Sequence, residues 1–208
     1  MTASPFRLDG CKVLVTGGAS GVGAGIADAV AQAGALVVIA DIHADGARAK
    51  SEEIIAQGLS SDWLALDVSD EQSVISACRE FLRRHGAPWA IINNAGIQDR
   101  QYITEETVEA WDRIQSVNAR GPFLVTRELS KAMVSEGRGG RIINIASGVL
   151  SGMIVKGAAS YVASKGALAA FSSVAALELA PHAITVNTIL PGAIPTPGTI
   201  NAKGPPTQ

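Results

Sequence analysis

The sequence predicts an α/β protein built on a doubly wound parallel sheet, and three observations carry that prediction. Six short apolar runs recur along the 208 residues. They are continuous and rich in Val and Ile, as strands buried on both faces are, and helix-patterned stretches separate them. Strands joined by crossovers of this length run parallel, with right-handed connections that place helices on both faces.

The runs are Lys12 to Thr16, Leu36 to Ala40, Asp62 to Leu66, Trp89 to Asn93, Arg141 to Ala146 and Ile184 to Ile189. In the first helix Ile26, Ala29, Val30 and Ala33 form an apolar stripe; in the third, Val74, Cys78, Phe81 and Leu82 do the same. Ser69, with Gln72 three residues on, has the form of a capping box opening that third helix. Residues 1–190 are expected to form one domain. Residues 191–208 hold Pro191, Pro195, Pro197, Pro205 and Pro206 with Gly192, Gly198 and Gly204, and are expected to be a loop or the start of a truncated segment.

Composition narrows the function. With 47% hydrophobic, 17% charged and 4% aromatic residues, the chain is too apolar for disorder and relies on aliphatic and small side chains. A net charge of −2 without a basic cluster argues against nucleic acid or an anionic membrane as partner, and favours a small molecule. No uninterrupted apolar run reaches the roughly 18 residues of a membrane span, and the opening MTASPFRLDGCKV is unlike a signal peptide, so a cytoplasmic location is expected. Cys11 and Cys78 are read as structural thiols. With His43, His85 and His182 scattered, no metal site is expected. Trp63, Trp89 and Trp111 are read as core or cleft-wall packing.

After the first strand comes Thr16-Gly17-Gly18-Ala19-Ser20-Gly21-Val22-Gly23, and a helix follows. Glycines let the backbone turn sharply and approach a ligand, while free N–H groups at a helix start attract a pyrophosphate; strand, glycines and helix stand in the order of a Rossmann dinucleotide fold. Asp41 closes the second strand, 18 residues beyond Gly23, where such folds place the acid that accepts from the adenosine ribose diol. A carboxylate there repels a 2′-phosphate, and neither Ile42 nor His43 offsets it, so NAD is expected over NADP. The competing reading makes Asp41 a cap for the next turn.

Tyr161 and Lys165 lie four residues apart at the start of a helix-patterned stretch and so share a face. An ammonium beside a phenol favours the phenolate; to act as a base near neutrality the phenol's pKa must fall by about 3 from its ordinary value of about 10.

Together, the glycine loop, Asn93-Asn94-Ala95-Gly96, Asn118, Ser147, Tyr161 with Lys165, and Pro191-Gly192 resemble the short-chain dehydrogenase/reductase family from about Asp9 to Thr196. The resemblance implies interconversion of a secondary alcohol and a ketone by hydride transfer with a nicotinamide cofactor. It makes Tyr161 the general acid/base, and Lys165 the group that tunes it and holds the nicotinamide ribose. Ser147 becomes the donor to the substrate oxygen, and Asn118 the anchor of a relay water. It further implies that Gly17, Ser20, Gly21, Val22 and Gly23 cradle the phosphates, that Asn94, Ala95 and Gly96 line the adenosine-ribose side, and that Asp67 and Val68 meet the adenine. Asn93 is read as structural. Pro191, Gly192, Ile194 and Thr196 border the nicotinamide and phosphates. Family members continue well past the Pro-Gly turn into a substrate-covering segment and a seventh strand. The small-residue helix from Gly166 is then a subunit-packing face of a homodimer or homotetramer, or equally a core helix.

Gln98, Val149, Met153, Ile154 and Val155, near the expected site, include no cationic anchor, which suggests an uncharged, partly apolar substrate. A catalytically idle NAD-binding or scaffold protein is the alternative. A nucleotide-sugar epimerase fits the glycine spacing and NNAG worse, and a methyltransferase leaves Tyr161 and Lys165 without a role.

Overall fold

A computed structural model describes residues 6–153 and 155–196. Ile154 and the part of the expected tail from 197 onward lie outside the described residues. Six parallel strands, β1 (Lys12–Thr16), β2 (Leu36–Asp41), β3 (Ser61–Ala65), β4 (Ala90–Asn93), β5 (Gly140–Ile145) and β6 (Ile184–Ile189), form one sheet in the order β3-β2-β1-β4-β5-β6. Val15 pairs with Ile39 on one side and Ile92 on the other, so β1 is the point from which the strand order runs in opposite directions. In open α/β sheets that switch point forms a crevice at the strands' carboxyl ends. β3, β4 and β5 are each displaced or trimmed by one residue from the apolar runs. At β4 the ladder still passes through Trp89, whose N–H donates to the Lys12 carbonyl and whose own carbonyl accepts from Arg141 N.

Strand alternation sends side chains into two apolar layers. Leu14, Val38, Ile91 and Ile142 pack with Val74 and Phe81 of α3 (Glu71–His85) and Leu129 and Met133 of α5 (Gly121–Glu136). On the opposite face Val13, Val15, Val37, Ile39 and Ile92 meet α1 (Gly21–Gln32) and α2 (Ala44–Ala56). In α1 the buried line is Gly23, Ala27 and Ala31, with Ile26 and Val30 flanking it and Ala29 exposed. The stripe is therefore rotated by one position from the sequence reading, because the small residues are the ones that let the helix approach the sheet. Cys78 is buried and its thiol is pushed up to about 12 by that burial, while Cys11 is half-buried; both are free thiols. Trp63 and Trp89 pack against the second layer, whereas Trp111 is 38% exposed, contrary to a core reading.

The expected capping box does not form. Asp70 caps α3, its carboxylate accepting from Gln72 N and Ser73 N, because the Ser69 hydroxyl turns back to Asp67 Oδ1 at 2.7 Å. A second correction concerns membrane length. Ala159–His182, 24 residues with a mean hydropathy of 1.3, is long and apolar enough by composition alone to cross a bilayer. Its alanines raise the average without forming the unbroken run sought in the sequence. Here α6 (Ala159–Leu179) packs along β6, with Ser164, Lys165, Leu168 and Ser172 buried.

Candidate active site

The polar motifs meet at the carboxyl edge of β1, β2, β4, β5 and β6. Between β1 and α1 the chain turns at Gly17 (φ +63°) and Gly21 (φ +56°), both left-handed and favouring glycine. A Cβ on Gly17 would stand 2.8 Å from Ala95 Cα, and one on Gly23 only 2.1 Å from the Gly17 carbonyl oxygen. Neither neighbour is a flexible side-chain end, so the loop depends on bare backbone at both positions. Ser20 stands at the N-cap of α1 but makes no side-chain cap bond, so it leaves the N–H groups of the first turn free of a side-chain partner. Such a turn fits a pyrophosphate.

Asp41 is 8% exposed at the end of β2. Its Oδ2 accepts from Ala19 N in the glycine loop at 3.1 Å and its Oδ1 from His43 N at 3.0 Å. The turn reading thus holds in part, since the same carboxylate supports its own turn and braces the loop across the crevice. Each oxygen retains a lone pair for a hydroxyl donor.

After β4, Asn94 braces the same loop from the other side, its Nδ2 donating to the carbonyls of Thr16 and Gly17, each at 3.0 Å. Thr16 Oγ1 accepts from both Asn94 N and Ala95 N at 3.1 Å. Asn93 lies under the site in a buried polar chain: its Nδ2 donates to Thr126 Oγ1 and Asn144 Oδ1, and Asn144 Nδ2 donates to Ser172 Oγ. Gly96 lies against Asn118 and Lys165, since a Cβ there would lie 3.3 Å from Asn118 Oδ1 and 3.4 Å from Lys165 Nζ. After β3, Asp67 Oδ1 accepts from Ser69 N, and Val68 is buried beneath Gly121 with its side chain in the core.

Asn118 is fully buried in a π-helical turn, Ser116–Arg120, between α4 (Val108–Gln115) and α5. The cause is local. Pro122 has no N–H, so the carbonyl four residues earlier, that of Asn118, loses its α-helical partner, and the helix widens. The Asn118 side chain is committed: Oδ1 accepts from Ile97 N (2.8 Å), and Nδ2 donates to the Ile97 carbonyl (2.9 Å) and to Ser164 Oγ (3.1 Å).

Ser147, after β5, caps a short turn by accepting from Val149 N, and its side chain is near enough to the Tyr161 phenol to influence its titration. Lys165, 4% exposed, follows one turn along α6 and donates to the Ile145 carbonyl at 2.8 Å. Burial pushes the amine down to about 8. The phenol is raised above its ordinary value by burial, which outweighs the opposing influence of the Ser147 hydroxyl. The drop expected from a neighbouring ammonium is therefore not found. Beside the site, Gly148 N donates to the Pro191 carbonyl at 2.7 Å, tying the Pro191-Gly192 segment to the Ser147 turn. Ile194 is exposed and Thr196 half-buried at the end of the described residues.

Sequence reasoning missed Thr16, Ser164 and the Ile145 carbonyl. Thr16 and Ser164 stand directly before the glycines and before Lys165, a signal present in the motifs; a backbone acceptor leaves none.

The fold is a doubly wound α/β sheet, with Ser147 after β5 near Tyr161 and Lys165 of α6 and a glycine turn between β1 and α1. Residues 12–204 match the family described as short chain dehydrogenase. The sorbitol dehydrogenase of Cereibacter sphaeroides is 39% identical over 190 residues, 91% of this chain and 72% of that protein. The gluconate 5-dehydrogenase of Burkholderia cenocepacia in complex with NADP and tartrate superposes with a TM-score of 0.87 at 33% identity, covering 92% of this chain and 74% of that one. The 3-ketoacyl-(acyl-carrier-protein) reductase of Brucella melitensis complexed with NADH gives 0.87 at 35%, covering 93% and 80%. The chain belongs to the short-chain dehydrogenase/reductase family, whose members bind nicotinamide cofactors and act as oxidoreductases on CH–OH groups.

Proposed function

We propose that this chain is an NAD-dependent oxidoreductase interconverting a small or medium secondary alcohol and its ketone, with Tyr161 as general acid/base. The observation that carries the reading is the buried Lys165 amine over the Tyr161 ring, 5.8 Å from its centroid, with the bare backbone of Gly96 beside that amine. When bound, the nicotinamide cofactor supplies the carbon that accepts or returns hydride. The protein supplies the rest. Ser147 donates to the substrate oxygen, and Tyr161 takes the hydroxyl proton in oxidation and returns it in reduction. Lys165 in its charged form favours the phenolate, and the Asn118 carbonyl, released by Pro122, is the acceptor for a relay water.

Gly17, Ser20, Gly21, Val22 and Gly23 are assigned to the phosphates, Asp41 to the adenosine ribose, and Asn94, Ala95 and Gly96 to the crevice floor. Asp67 and Val68 are assigned to the adenine, Val68 through its backbone. Pro191, Gly192, Ile194 and Thr196 are assigned to the nicotinamide side. NAD is favoured because the Asp41 carboxylate faces the loop that would hold the adenosine half. We further assign residues 1–190 to one cytoplasmic domain that associates as a dimer or tetramer through α5 and α6. Phe123 (40%), Val174 (56%) and Leu177 (76%) are exposed on those helices. The idle-scaffold alternative is disfavoured by the presence of all four reactive groups.

The test is a panel of secondary alcohols and ketones with NAD(H) and NADP(H), followed by nicotinamide absorbance, alongside Tyr161→Phe. Turnover in the parent and its loss in the variant are expected; undiminished turnover in the variant removes Tyr161 from the mechanism. Sedimentation giving the mass of a single 21.4 kDa chain would remove the oligomer.

A further inference from the structure

Ser164 occupies a fully buried position on α6, where a hydroxyl is a burden. Alanine is the better helix former and would bring no polar atom out of water, and a serine that bonds back to its own helix weakens it slightly. What the hydroxyl gains is a pair of bonds. Ser164 Oγ donates to the Tyr161 carbonyl at 2.7 Å and accepts from Asn118 Nδ2 at 3.1 Å. A hydroxyl has one proton, so with that proton on the Tyr161 carbonyl the bond to Asn118 can only be accepted. The order Asn118 to Ser164 to Tyr161 is therefore fixed.

The amide end is fixed as well. Asn118 Oδ1 accepts from Ile97 N at 2.8 Å and Nδ2 donates to the Ile97 carbonyl at 2.9 Å, a reciprocal pair that rules out the flipped amide. The second Nδ2 proton is left for Ser164. Asn118 and Ser164 are both fully buried, so water does not compete for the bond between them. Gln115 Nε2 makes a separate tie from α4 to the Ser160 carbonyl at 2.9 Å. The tie through Ser164 differs in its ends, which are the two residues assigned above to opposite ends of the proton path.

From this geometry we propose that Ser164 is a positioning residue for the proton transfer: it locks the π-helical turn to the first turn of α6, so that the Asn118 carbonyl and the Tyr161 phenol keep one separation during turnover. This rests on the oxidoreductase reading above and deepens it. Ser164 touches neither substrate nor cofactor in this role and acts through Asn118. Without its hydroxyl a buried amide N–H loses its acceptor, and the turn that carries the Asn118 carbonyl must shift to find another.

The test compares the parent with Ser164→Ala and Ser164→Thr on the best ketone of the panel. Threonine keeps a hydroxyl able to bond back to the helix. Ser173→Ala is the control, because the Ser173 hydroxyl bonds back to the Ala169 carbonyl on the exposed side of the same helix. Ser164→Ala is expected to lower kcat about tenfold and to enlarge the solvent deuterium isotope effect on kcat, with KM for ketone and cofactor little changed. Ser164→Thr recovers most of kcat, and the control matches the parent. On an Asn118→Ala background the Ser164→Ala change should cost nothing further. Undiminished kcat in Ser164→Ala, or losses that simply add in the double variant, overturn the positioning role. A measurement without turnover separates this from failure of the redox reading: in 15N-labelled protein the Asn118 side-chain amide resonances should move in Ser164→Ala and stay near their parent positions in Ser164→Thr. Resonances unmoved in Ser164→Ala overturn the tie itself. Resonances that move, in a protein whose parent form turns over no member of the panel, overturn the redox reading and the catalytic role with it while leaving the tie in place.

Discussion

The Lys165 ammonium lies over the ring of Tyr161, 5.8 Å from its centroid, while its hydrogen bond goes to the Ile145 carbonyl. Cation and phenol are neighbours, yet the amine is anchored to β5. Burial moves each toward its neutral form, the amine downward and the phenol upward. The pair is therefore set to hold the Tyr161 proton until positive charge is added beside it.

The pH dependence follows from those directions. In the proposed mechanism reduction needs the Tyr161 phenol protonated, a condition met at neutral and mildly alkaline pH because burial raises its pKa. Oxidation needs the phenolate, which grows with pH. Ketone reduction should hold level through neutrality and fall at alkaline pH, while alcohol oxidation should climb over the same range; initial rates in both directions from pH 6 to 10 check this. Oxidation falling as pH rises would contradict it.

Lys165 links the site to stability. Its folded pKa, pushed down to about 8, lies below its ordinary unfolded value, so the unfolded chain binds the extra proton between the two. Stability from this group alone therefore rises as pH climbs from about 8 toward 10.5, and the cost of burying the ammonium is fully present below 8. That cost is on the order of 3 kcal/mol at most, and the bond to Ile145 offsets part of it. Lys165→Met removes the titration, so the urea-midpoint difference, parent minus variant, should grow more positive across this window. A difference independent of pH would refute the linkage.

At Gly23 the limit is steric. An added Cβ would meet the Gly17 carbonyl oxygen at 2.1 Å and Asn94 Nδ2 at 2.4 Å, so the loop and its brace must both shift. Gly23→Ala should cost about 1–3 kcal/mol in stability and raise the cofactor Kd at least tenfold. Thermal melts with isothermal titration of NAD test both, and Gly25→Ala, which meets nothing within 4 Å on the same helix, is the control.

How much of this was legible in the sequence depends on how local each signal is. The six strands and their order-setting crossovers could be read because buried parallel strands are continuous in Val and Ile, as Val13 to Val15 and Val37 to Ile39 are. The boundaries of β3, β4 and β5 differ by one residue because a strand end is set by backbone ladder bonds, which side-chain composition does not mark. The cap of α3 was misplaced because Ser69 and Asp70 are both good caps, and only the pull of Asp67 decides between them. The reactive residues were readable as motifs, but the state of Tyr161 was not, since burial and the aim of Lys165 toward Ile145 are properties of the packed site.

Asp41 has one observed role, bracing the glycine loop, and one proposed role, setting coenzyme choice, which substitution can separate. Its carboxylate accepts from Ala19 N and His43 N, which holds the glycine loop against the β2 turn, and its charge disfavours a 2′-phosphate in the proposed adenosine site. Asp41→Asn removes the charge but keeps an acceptor for one of the two N–H groups; Asp41→Ala removes both. If charge sets coenzyme choice, both variants should shift the ratio of NADP to NAD affinity toward NADP by about tenfold, equivalent to about 1.4 kcal/mol. If bracing sets the loop, both variants should lose stability, Asp41→Asn for one backbone donor left without its partner and Asp41→Ala more, for two, at about 1–3 kcal/mol each. Kd values for both coenzymes, with urea unfolding of each variant, resolve the two. An unchanged ratio in both variants would leave Asp41 a turn and loop brace alone, and would require another residue to explain any preference for NAD.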